Sequence, residues 1–323
     1  MRILISGACG YIGSVLSIYL IKNNIDFAGI DNLSNSKTKF FPFTKKLYIG
    51  DISNKKLLKK IDKEFSPDCI IHLAASISVE ESEKNKKFYY QNNFIKSKIF
   101  FNFFRLKIKT FFFASTAAIY SNKANIKKES LIEKPSNYYG LTKKKFEDYL
   151  IKNSSKDKNL NIKIFRFFNV VGSHINKNVG NISKKSSHLF NKLCETYKYN
   201  KTFIINGDKY KTNDGTAIRD FIDVNDICKI IIFFIKNHKI KTTIFNLATG
   251  RSYSVIDICN YFEKLIKTKI KIKIGPPRKG DAYRLVCSNK KLRKFYRFNF
   301  ISLNNSLKNH LDFFKKYPRK LKT

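Results

Sequence analysis

The sequence predicts an α/β protein with a parallel sheet, and three observations support this fold class. Over residues 1–169, short apolar segments alternate with helical segments, which is the order of repeated β-α units. The first apolar segment runs into a turn with three glycines and then into a helical pattern. Later apolar segments end in small, acidic or hydroxyl-bearing residues, as strands do when their carboxyl ends line a ligand crevice.

The composition excludes global disorder and argues against nucleic acid as a functional partner. The 323 residues are 43% hydrophobic and 15% aromatic, so the chain can bury a substantial core as one large unit or as two domains. The net charge of +40 would favour binding to phosphate backbones. However, Lys, Asn, Ile, Phe and Tyr are all abundant and Trp is absent, a pattern typical of AT-rich coding sequences. Since the charge is spread along the whole chain, we predict no nucleic-acid function, only non-specific adhesion to polyanions.

Several features predict a cytoplasmic protein without a membrane segment or a metal site. The six cysteines are scattered, with neither a C-x-x-C pair nor a metal-like cluster, and we expect reduced, mostly buried thiols. The chain starts directly on a strand pattern, without the charged head and apolar run of a signal peptide. The longest apolar run, at 100–120, is interrupted by Arg105, Lys107 and Lys109, which cannot sit in a bilayer.

The first predicted strand, Arg2–Ser6, is followed by Gly7, Gly10 and Gly13 and then by a helical pattern. This is the order that dinucleotide binding needs. Gly7 permits the tight turn, Gly10 lets a pyrophosphate approach the backbone, and Gly13 lets the helix close on the strand. The helix N-terminus supplies amide donors. The spacing is G-x-x-G-x-x-G rather than G-x-G-x-x-G, and a purely structural turn is the alternative interpretation.

Acidic residues follow the second and third predicted strands. Asp31 ends the strand at 26–30, where a carboxylate can bind both hydroxyls of an adenosine ribose and repel a 2′-phosphate, so NAD is favoured over NADP. Asp51 follows the strand at 46–49, where a carboxylate could meet the adenine amino group. Each has a structural alternative, namely a helix or turn cap for Asp31 and the N-cap of a helix over Lys55–Glu64 for Asp51.

The fourth and fifth predicted strands also end at positions suited to a ligand. The strand at 69–73 runs into Ala74 and Ala75, whose small side chains let a cofactor lie against the backbone. His72, within this strand, is interpreted as a hydrogen-bonded core residue rather than a base. The strand at 110–114 ends in Ser115 and Thr116, whose hydroxyls are expected to point into the crevice.

Tyr139 and Lys143 are four residues apart, so on a helix they share one face. A Pro-Ser-Asn stop and cap precedes them and marks the helix start. A cation held there favours the phenolate and can lower the pKa of a phenol towards neutrality, where a general base is useful. Tyr197 and Lys201 share this spacing, so the pair alone is a weak signal. Its position downstream of a Ser-Thr strand end and a glycine turn distinguishes Tyr139.

The pattern changes after the sixth predicted strand, at 161–168, which ends at Asn169. Residues 170–221 are polar and loop-rich, whereas 223–236 again form an apolar helix pattern and 244–247 a strand. We therefore predict one domain from 1–169 plus 222–248, and a second from 170–221 plus 249–323.

Ten segments carry a resemblance to a known family. They are residues 7–13, 31–36, 50–52, 72–75, 89–93, 115–120, 139–143, 166–169, 214–221 and 277–281. In this order they resemble the extended short-chain dehydrogenase/reductases and, within them, the nucleotide-sugar 4-epimerases. The resemblance implies a doubly wound parallel-sheet (Rossmann) NAD domain and a smaller α/β nucleotide-sugar domain that binds a UDP-sugar, usually in a homodimer.

The resemblance also implies a reaction, the reversible epimerisation of UDP-glucose and UDP-galactose at C4 through a transient 4-keto sugar. Tyr139 takes the proton from the sugar 4-hydroxyl while C4 gives its hydride to tightly bound NAD+. Thr116 hydrogen-bonds that oxygen, and Lys143 holds the nicotinamide ribose and lowers the tyrosine pKa.

Further site residues are implied by position in the family pattern. The implied cofactor-binding residues are Gly7, Gly10, Tyr11, Ile12, Gly13, Asp31, Asn32, Asn35, Ser36, Asp51, Ile52, Leu73, Ala74, Ala75, Asn93, Ser115, Tyr139, Lys143 and Phe168. The implied substrate-binding residues are Thr116, Asn169, His188, Leu189, Ile204, Asn206, Arg219, Arg278 and Asp281. Two arginines suit a diphosphate, since each guanidinium can bind two oxygens; a solvated face is their alternative.

Three positions depart from the pattern, and several functions stay open. Ile77 replaces a lysine on the nicotinamide side, His188 replaces an asparagine of the uracil-diphosphate grip, and Leu285 occupies the position thought to gate N-acetylated sugars. UDP-GlcNAc/UDP-GalNAc or uronic-acid epimerases are alternatives. A 4,6-dehydratase would carry Asp-Glu where this chain has Ala117 and Ala118, which cannot transfer protons. Further alternatives are a decarboxylase of the same fold and an inactive relative that binds nucleic acid.

Overall fold

The structure, a computed structural model, describes residues 1–42, 44–121, 126–131, 134–157, 159–174, 176, 179–181, 188–237, 240–241, 243–277, 282–297 and 299–317. Its centre is a seven-stranded sheet in the order β13-β6-β5-β4-β1-β2-β3. All of its strand pairs are parallel. The order runs outward from β1 in both directions, so the polypeptide crosses over at β1 and β4 and leaves a crevice at their carboxyl ends.

The strands and helices have the following bounds. The strands are β1 Arg2–Ser6, β2 Asp26–Asp31, β3 Leu47–Ile49, β4 Cys69–His72, β5 Thr110–Thr116, β6 Asn161–Phe167, β7 Asn169–Val171, β8 Ser173–His174, β9 Val179–Gly180, β10 Phe203–Asn206, β11 Ile218–Arg219, β12 Phe221–Asp223, β13 Thr243–Leu247, β14 Tyr253–Ser254, β15 Ile272–Gly275 and β16 Arg284–Leu285. The α-helices are α1 Tyr11–Lys22, α2 Lys55–Glu64, α3 Val79–Lys84, α4 Lys86–Tyr90, α5 Lys96–Phe104, α6 Tyr138–Ser154, α7 Leu189–Tyr199, α8 Val224–Lys236, α9 Val255–Ile266, α10 Lys290–Arg293 and α11 Leu303–Lys316. Short 3₁₀ turns span Thr38–Phe40 and Ala117–Ile119, and a π-helical turn spans Gln91–Ile95.

Helices cover both faces of the sheet, as the doubly wound class requires. Alternate residues of β1 enter different cores, with Ile3 and Ile5 on one face and Leu4 on the other. The first core includes α1 and α8, and the second includes α2, α5 and α6. Because both faces are buried, the strands are nearly continuous runs of apolar residues. The predicted α/β doubly wound fold is confirmed.

A third core cluster lies in the segments that follow β6. It is formed by apolar side chains of α7, α9, α11, β10 and β12, such as Leu193, Phe262 and Leu311. Small sheets accompany it, namely β10-β15 and β14-β11-β16. The division into a cofactor domain and a sugar domain stays a prediction.

Most predicted elements are confirmed, and two details differ. The helix Lys55–Glu64 has the predicted bounds, but its N-cap is Asn54, whose side chain accepts from the Leu57 amide, so the cap alternative for Asp51 was wrong. Asn54 fits because it lies directly before the first helical residue. Within the segment described as loop-rich, Leu189–Tyr199 forms the amphipathic helix α7. Tyr197 is exposed on α7 and Lys201 follows its end, so this pair lacks the helical geometry of Tyr139 and Lys143.

Candidate active site

The carboxyl ends of four adjacent strands bring the predicted site residues together. In the order β6-β5-β4-β1, the sheet places Asn169, the Ser115–Thr116 pair, residues 73–75 and the glycine turn side by side. Gly7 approaches the next strand so closely that a Cβ on it would lie 2.8 Å from the Ala74 amide nitrogen. This is the arrangement that the motif order predicted, at the edge where doubly wound sheets bind ligands.

The glycine turn leaves space that side chains would fill. Gly7 has φ +71°, a left-handed conformation that favours glycine. A Cβ at Gly13 would collide with the carbonyl oxygens of Gly7 and Ala8, so the start of α1 packs directly on the turn. The helix begins at Tyr11, and no side chain caps its first turn at Gly10. The turn is therefore shaped to bring a ligand against main-chain amides at the end of a helix.

Asp31 joins the glycine turn to the second strand. It is buried, and its carboxylate accepts hydrogen bonds from the amides of Cys9 (2.9 Å) and Leu33 (2.8 Å) and from the Ser36 hydroxyl (2.8 Å). The neighbouring Asn32 side chain accepts from the Ser34 amide (3.1 Å). Asp31 is thus a turn cap as well as a candidate ribose ligand, and its two interpretations are compatible.

Asp51 and Asn93 fix the loops around the crevice. The Asp51 carboxylate accepts from Lys96 Nζ (2.5 Å) and from the amide and hydroxyl of Ser53. Burial would raise the Asp51 pKa, but these hydrogen bonds outweigh it and lower the pKa below its usual value. Asn93 lies in the π-helical turn and bonds the backbone of Ser76 in both directions, as well as the Thr142 hydroxyl (3.3 Å). It therefore ties the end of β4 to the helix that carries Lys143.

The Ser115 hydroxyl is an unpaired polar group within the crevice wall. Its Oγ atom is buried and has no hydrogen-bond partner among the residues that the structure describes. A buried hydroxyl without a partner carries a desolvation cost, which a ligand with a polar edge would relieve. Together with the glycine cradle, this orphaned atom fits a bound dinucleotide.

Tyr139 lies next to Thr116 within this crevice, on the first turn of α6. Asn137 caps the helix by accepting from the Gly140 amide (2.8 Å). The Thr116 side chain acts on the Tyr139 phenol and favours its ionised form, but burial of the phenol is the larger effect and raises the pKa of Tyr139 to about 12. The predicted lowering of the Tyr139 pKa is therefore wrong for the protein alone, because burial of the phenol dominates.

Lys143 is buried one turn further along α6. Its Nζ donates to the Ala114 carbonyl oxygen (2.8 Å) and lies 4.8 Å from the centre of the Phe113 ring. Burial lowers the pKa of Lys143 to about 7, while the charge of Glu147 opposes this shift. At neutral pH the ammonium form of Lys143 is thus only partly populated.

His72 is a core residue, as predicted. Its ring nitrogens are hydrogen-bonded to the hydroxyls of Ser6 (2.6 Å) and Ser97 (2.9 Å), and burial lowers its pKa to about 3. It is therefore neutral across the physiological range and lacks access to a substrate.

The candidate substrate residues meet at Asp220, which the sequence analysis did not select. The Asn169 amide group donates to the Asp220 carbonyl oxygen (2.9 Å), and the Asp220 backbone amide donates to the Leu285 carbonyl oxygen (2.9 Å). Arg219, its neighbour, is strand-paired with Leu285. The Asp220 carboxylate is fully buried and accepts from Thr249 and from the Gly250 amide. Asp220 lies between β11 and β12, and its sequence signal was its place in segment 214–221, one of those that carry the family resemblance.

Other predicted substrate residues lie around this strand. His188 directly precedes α7 and Leu189 opens it, while Ile204 and Asn206 lie on β10. Ile204 is 51% exposed, so its side chain is accessible at the surface. Arg278 and Asp281 lie outside the described residues. Ile77, the departure near the nicotinamide side, is exposed.

The buried carboxylate of Asp220 offers a first prediction. Asp220→Asn should raise the KM for UDP-galactose about tenfold, with little change in kcat. The side-chain NH₂ group of the new asparagine would face the Gly250 amide, another donor, and the unpaired donor costs ~1–3 kcal/mol. Steady-state kinetics measure both parameters. Asp214→Asn is the matched control, because Asp214 is exposed and its carboxylate accepts from the amide and the hydroxyl of Thr216 in its own turn (2.8 Å each). A fall in kcat at unchanged KM would contradict the assignment.

Asp220 also predicts a pH dependence of stability. Burial raises its pKa from 3.8 to about 6, against the opposing hydrogen bonds. Between these values the folded state binds more protons than the unfolded state, so the Asp220 contribution to stability is present below pH ~4 and lost as the pH rises through about 6. The free energy of unfolding, measured with denaturant at pH 4 and pH 7, should fall between these pH values in the wild type by more than in Asp220→Asn. The same pH dependence in both proteins would contradict this prediction.

Three further observations concern metal sites, membrane spans and cysteines. No cluster of three or more His, Cys, Asp or Glu side chains in the described ranges could hold a metal ion. Nor does any helix in the part of the chain that the structure describes have the length and apolar character to cross a membrane. All six cysteines are buried and free, as predicted.

Comparisons with known proteins agree with this geometry. The model of the NAD dependent epimerase/dehydratase family matches residues 3–248. The UDP-glucose 4-epimerase of Lactobacillus helveticus is 32% identical over 300 residues, which cover 91% of this chain and 90% of that protein. The crystal structure of UDP-glucose 4-epimerase from Bifidobacterium longum, in complex with NAD+ and UDP, has a TM-score of 0.93 at 27% identity and covers 99% of both chains. The UDP-Glc/GlcNAc 4-epimerase of Campylobacter jejuni has a TM-score of 0.84 at 29% identity and covers 98% of this chain and 99% of that chain. Because the family model spans most of the chain and includes the glycine turn, Thr116, Tyr139 and Lys143, the chain belongs to the NAD dependent epimerase/dehydratase family.

Proposed function

We propose that the chain is an isomerase that interconverts UDP-glucose and UDP-galactose at C4 with tightly bound NAD+. The observation that carries this proposal is the Thr116–Tyr139 pair, which lies with buried Lys143 at the strand ends that adjoin the glycine turn. A hydroxyl pair and a lysine in such a crevice suit proton transfer at an alcohol carbon. The two relatives described as UDP-glucose 4-epimerases match nearly the whole chain and support the same reaction.

The proposed cofactor site uses the cradle and the orphaned hydroxyl described above. The glycine turn would hold the pyrophosphate, Asp31 the adenosine ribose, and Ser115 a polar edge of the nicotinamide half. When bound, NAD+ supplies the reversible oxidation of the sugar C4 alcohol. The buried carboxylate of Asp31 favours NAD over NADP, since it would repel a 2′-phosphate.

The chain's own residues hold and move the proton. Tyr139 takes the proton of the sugar 4-hydroxyl and later returns it. Thr116 hydrogen-bonds the same sugar oxygen. Burial raises the pKa of Tyr139 to about 12 in the protein alone, so the phenol first gives up its own proton to solvent, and the resulting phenolate is the base that accepts the proton of the sugar 4-hydroxyl. The ammonium of Lys143 stabilises that ionised form, so the lysine must be protonated for the step to proceed.

The UDP moiety is proposed to lie over Asn169, Arg219 and the start of α7. Arg219 is half-buried, and its Nη1 donates to the Ile218 carbonyl oxygen (3.0 Å). Ile204 and Asn206 on β10 would contact the nucleoside. Arg278 and Asp281 are proposed from the family pattern alone.

Two alternatives differ in what they require of the site. A UDP-GlcNAc/UDP-GalNAc epimerase is supported by the Campylobacter jejuni relative described as a UDP-Glc/GlcNAc 4-epimerase. Leu285, a half-buried residue paired with Arg219, occupies the position thought to gate N-acetylated sugars and favours neither sugar. Uronic-acid epimerisation has no such support. A 4,6-dehydratase or a decarboxylase is disfavoured, because Ala117 and Ala118 beside Thr116 have no proton to transfer.

The proposal is tested by incubating the purified protein with UDP-galactose and assaying for UDP-glucose. We expect conversion in both directions, without added NAD+ if the cofactor is retained on purification. No conversion by protein that demonstrably contains NAD would overturn the substrate assignment. A 4-keto-6-deoxy sugar as product would instead favour the dehydratase. Conversion of UDP-GlcNAc in the same assay decides the sugar range.

A homodimer and a cytoplasmic location are also proposed. The dimer rests on the family resemblance, and light scattering of the purified protein tests it. The location is supported by the six free, buried thiols, which suit a reducing compartment; cell fractionation tests it.

A further inference from the structure

A buried ion pair lies one helical turn beyond the proposed catalytic lysine. Tyr139, Lys143 and Glu147 are spaced four residues apart on α6 and share its buried face. Glu147 has no solvent exposure, and Arg166 of β6 is 1% exposed. Arg166 donates from Nε to Glu147 Oε1 (3.2 Å) and from Nη2 to Oε2 (2.7 Å). Such a two-point contact fixes both side chains in one geometry.

The ion pair extends into a network that joins the elements of the site. Arg166 Nη1 donates to the Tyr120 hydroxyl (2.8 Å), which donates in turn to Asn246 Oδ1 (2.8 Å) on β13. Tyr120 follows the 3₁₀ turn after Thr116, and Arg166 is strand-paired with Ser115. The network thus connects α6, which carries Lys143, with β5, which ends at Thr116, and with β6, which leads into Asn169 at the start of β7.

Holding α6 and β6 together does not by itself require the charges of Glu147 and Arg166. A buried ion pair pays a large desolvation cost, and apolar residues of similar volume often stabilise a core as well or better. A carboxylate therefore suggests a role for its charge, and the group one turn away is a buried ammonium.

The surroundings of Lys143 identify Glu147 as the carboxylate that acts on it. From α6, Tyr139 and Glu147 lie one turn to either side. From β5, the Ala114 carbonyl and the Phe113 ring contact the ammonium. From β4, His72 is the titratable neighbour, and it is neutral because burial lowers its pKa to about 3. Arg166 lies behind Glu147 on β6. Burial lowers the Lys143 pKa to about 7, and Glu147 is the charge that opposes this.

We propose that Glu147, fixed by Arg166, is a positioning residue whose carboxylate keeps Lys143 protonated and thereby sets the alkaline limit of turnover at Tyr139. This inference rests on the proposed function for its catalytic consequence, but not for its effect on Lys143 itself. Both carboxylate oxygens of Glu147 accept hydrogen bonds from Arg166, which holds the carboxylate in one orientation.

The direct test is the titration of Lys143 in Glu147→Gln, which keeps the shape of the side chain and one acceptor oxygen. NMR of ¹³C-labelled lysine Cε follows the titration, and the signal lost in Lys143→Met identifies Lys143. We expect its midpoint to fall by about one unit or more, as for loss of an opposite charge at close range. Buried Lys163, with a pKa of about 8, is the internal reference and should not move. An unchanged Lys143 midpoint would overturn the proposal.

A double variant keeps the test valid if the single variant fails to fold. Glu147→Leu with Arg166→Met removes both charges and preserves volume, so folding should survive. In this protein the Lys143 midpoint should still lie below that of the wild type. Recovery of the wild-type midpoint would show that Glu147 serves only to neutralise Arg166.

The catalytic consequence is measured by the pH profile of kcat/KM for UDP-galactose. Lys143 is charged below its pKa, so a lower pKa moves the alkaline limb of the profile to lower pH in Glu147→Gln. Asp148→Asn is the matched control, because Asp148 lies on the same helix but is 55% exposed and pairs with Lys144. An equal shift in both variants, or none in Glu147→Gln, would overturn the catalytic part. If the wild-type protein showed no activity, the proposed function would be refuted. The effect of Glu147 on the titration of Lys143, measured by NMR, would remain valid.

Discussion

Replacing Tyr139 with phenylalanine should lower kcat by about 10²–10⁴-fold, the range that general acid–base groups contribute. Phenylalanine keeps the buried ring on the first turn of α6 but removes the hydroxyl that adjoins Thr116. The proton of the sugar 4-hydroxyl would then have no acceptor in place. NAD should remain bound, because the glycine turn and Asp31 lie on other elements. Turnover of UDP-galactose and the NAD content of the denatured protein are the two measurements.

Tyr138→Phe is the matched control for this experiment. It removes the same hydroxyl from the adjacent residue, whose ring lies against Lys86 rather than on the face of Lys143. We expect turnover close to that of the wild type. A near-normal rate in Tyr139→Phe would refute the proton-transfer role, and loss of NAD together with rate would indicate a structural role instead.

The sequence predicted the strand ends of the site because each depends on local signals. The glycine spacing, Asp31 at the end of β2 and Ser115–Thr116 at the end of β5 each follow an apolar strand directly. Once the strands are parallel, their carboxyl ends must share one edge, so the convergence of these residues follows from topology. The same reasoning predicted the start of α6 through its capping residue Asn137, whereas α8 was predicted from its apolar pattern, with its cap Asp223 counted as the first helical residue.

Properties that depend on burial were not predictable in this way. The helical spacing of Tyr139 and Lys143 suggested a lowered phenol pKa, but desolvation by the surrounding core raises it. The ion pair between Glu147 and Arg166 joins residues 19 positions apart, on a helix and a strand, and no local pattern marks it. Asp220 was likewise overlooked, since its importance arises from contacts with residues distant in sequence.

Gly7→Ala should reduce both cofactor binding and stability, because this position is constrained twice. A non-glycine residue at φ +71° costs ~1–2 kcal/mol. The new Cβ would also lie 2.8 Å from the Ala74 amide nitrogen and 3.1 Å from the Leu73 carbonyl carbon, both main-chain atoms that cannot rotate away. Such overpacking costs a further ~1–3 kcal/mol and pushes the end of β4 away from the turn. We expect purified Gly7→Ala to contain little NAD and to unfold at lower denaturant concentration.

Gly250→Ala separates these two causes, because it shares the backbone conformation without the close approach. Gly250 has φ +78°, and the nearest atom to an added Cβ is Asn289 Nδ2 at 3.5 Å, an ordinary contact. Its free energy of unfolding should therefore fall only by the ~1–2 kcal/mol of the left-handed conformation, with NAD content unchanged. Equal loss of stability in both variants would show that backbone strain alone makes glycine necessary at position 7. Retention of NAD by Gly7→Ala would mean that the pyrophosphate is held elsewhere than at this turn.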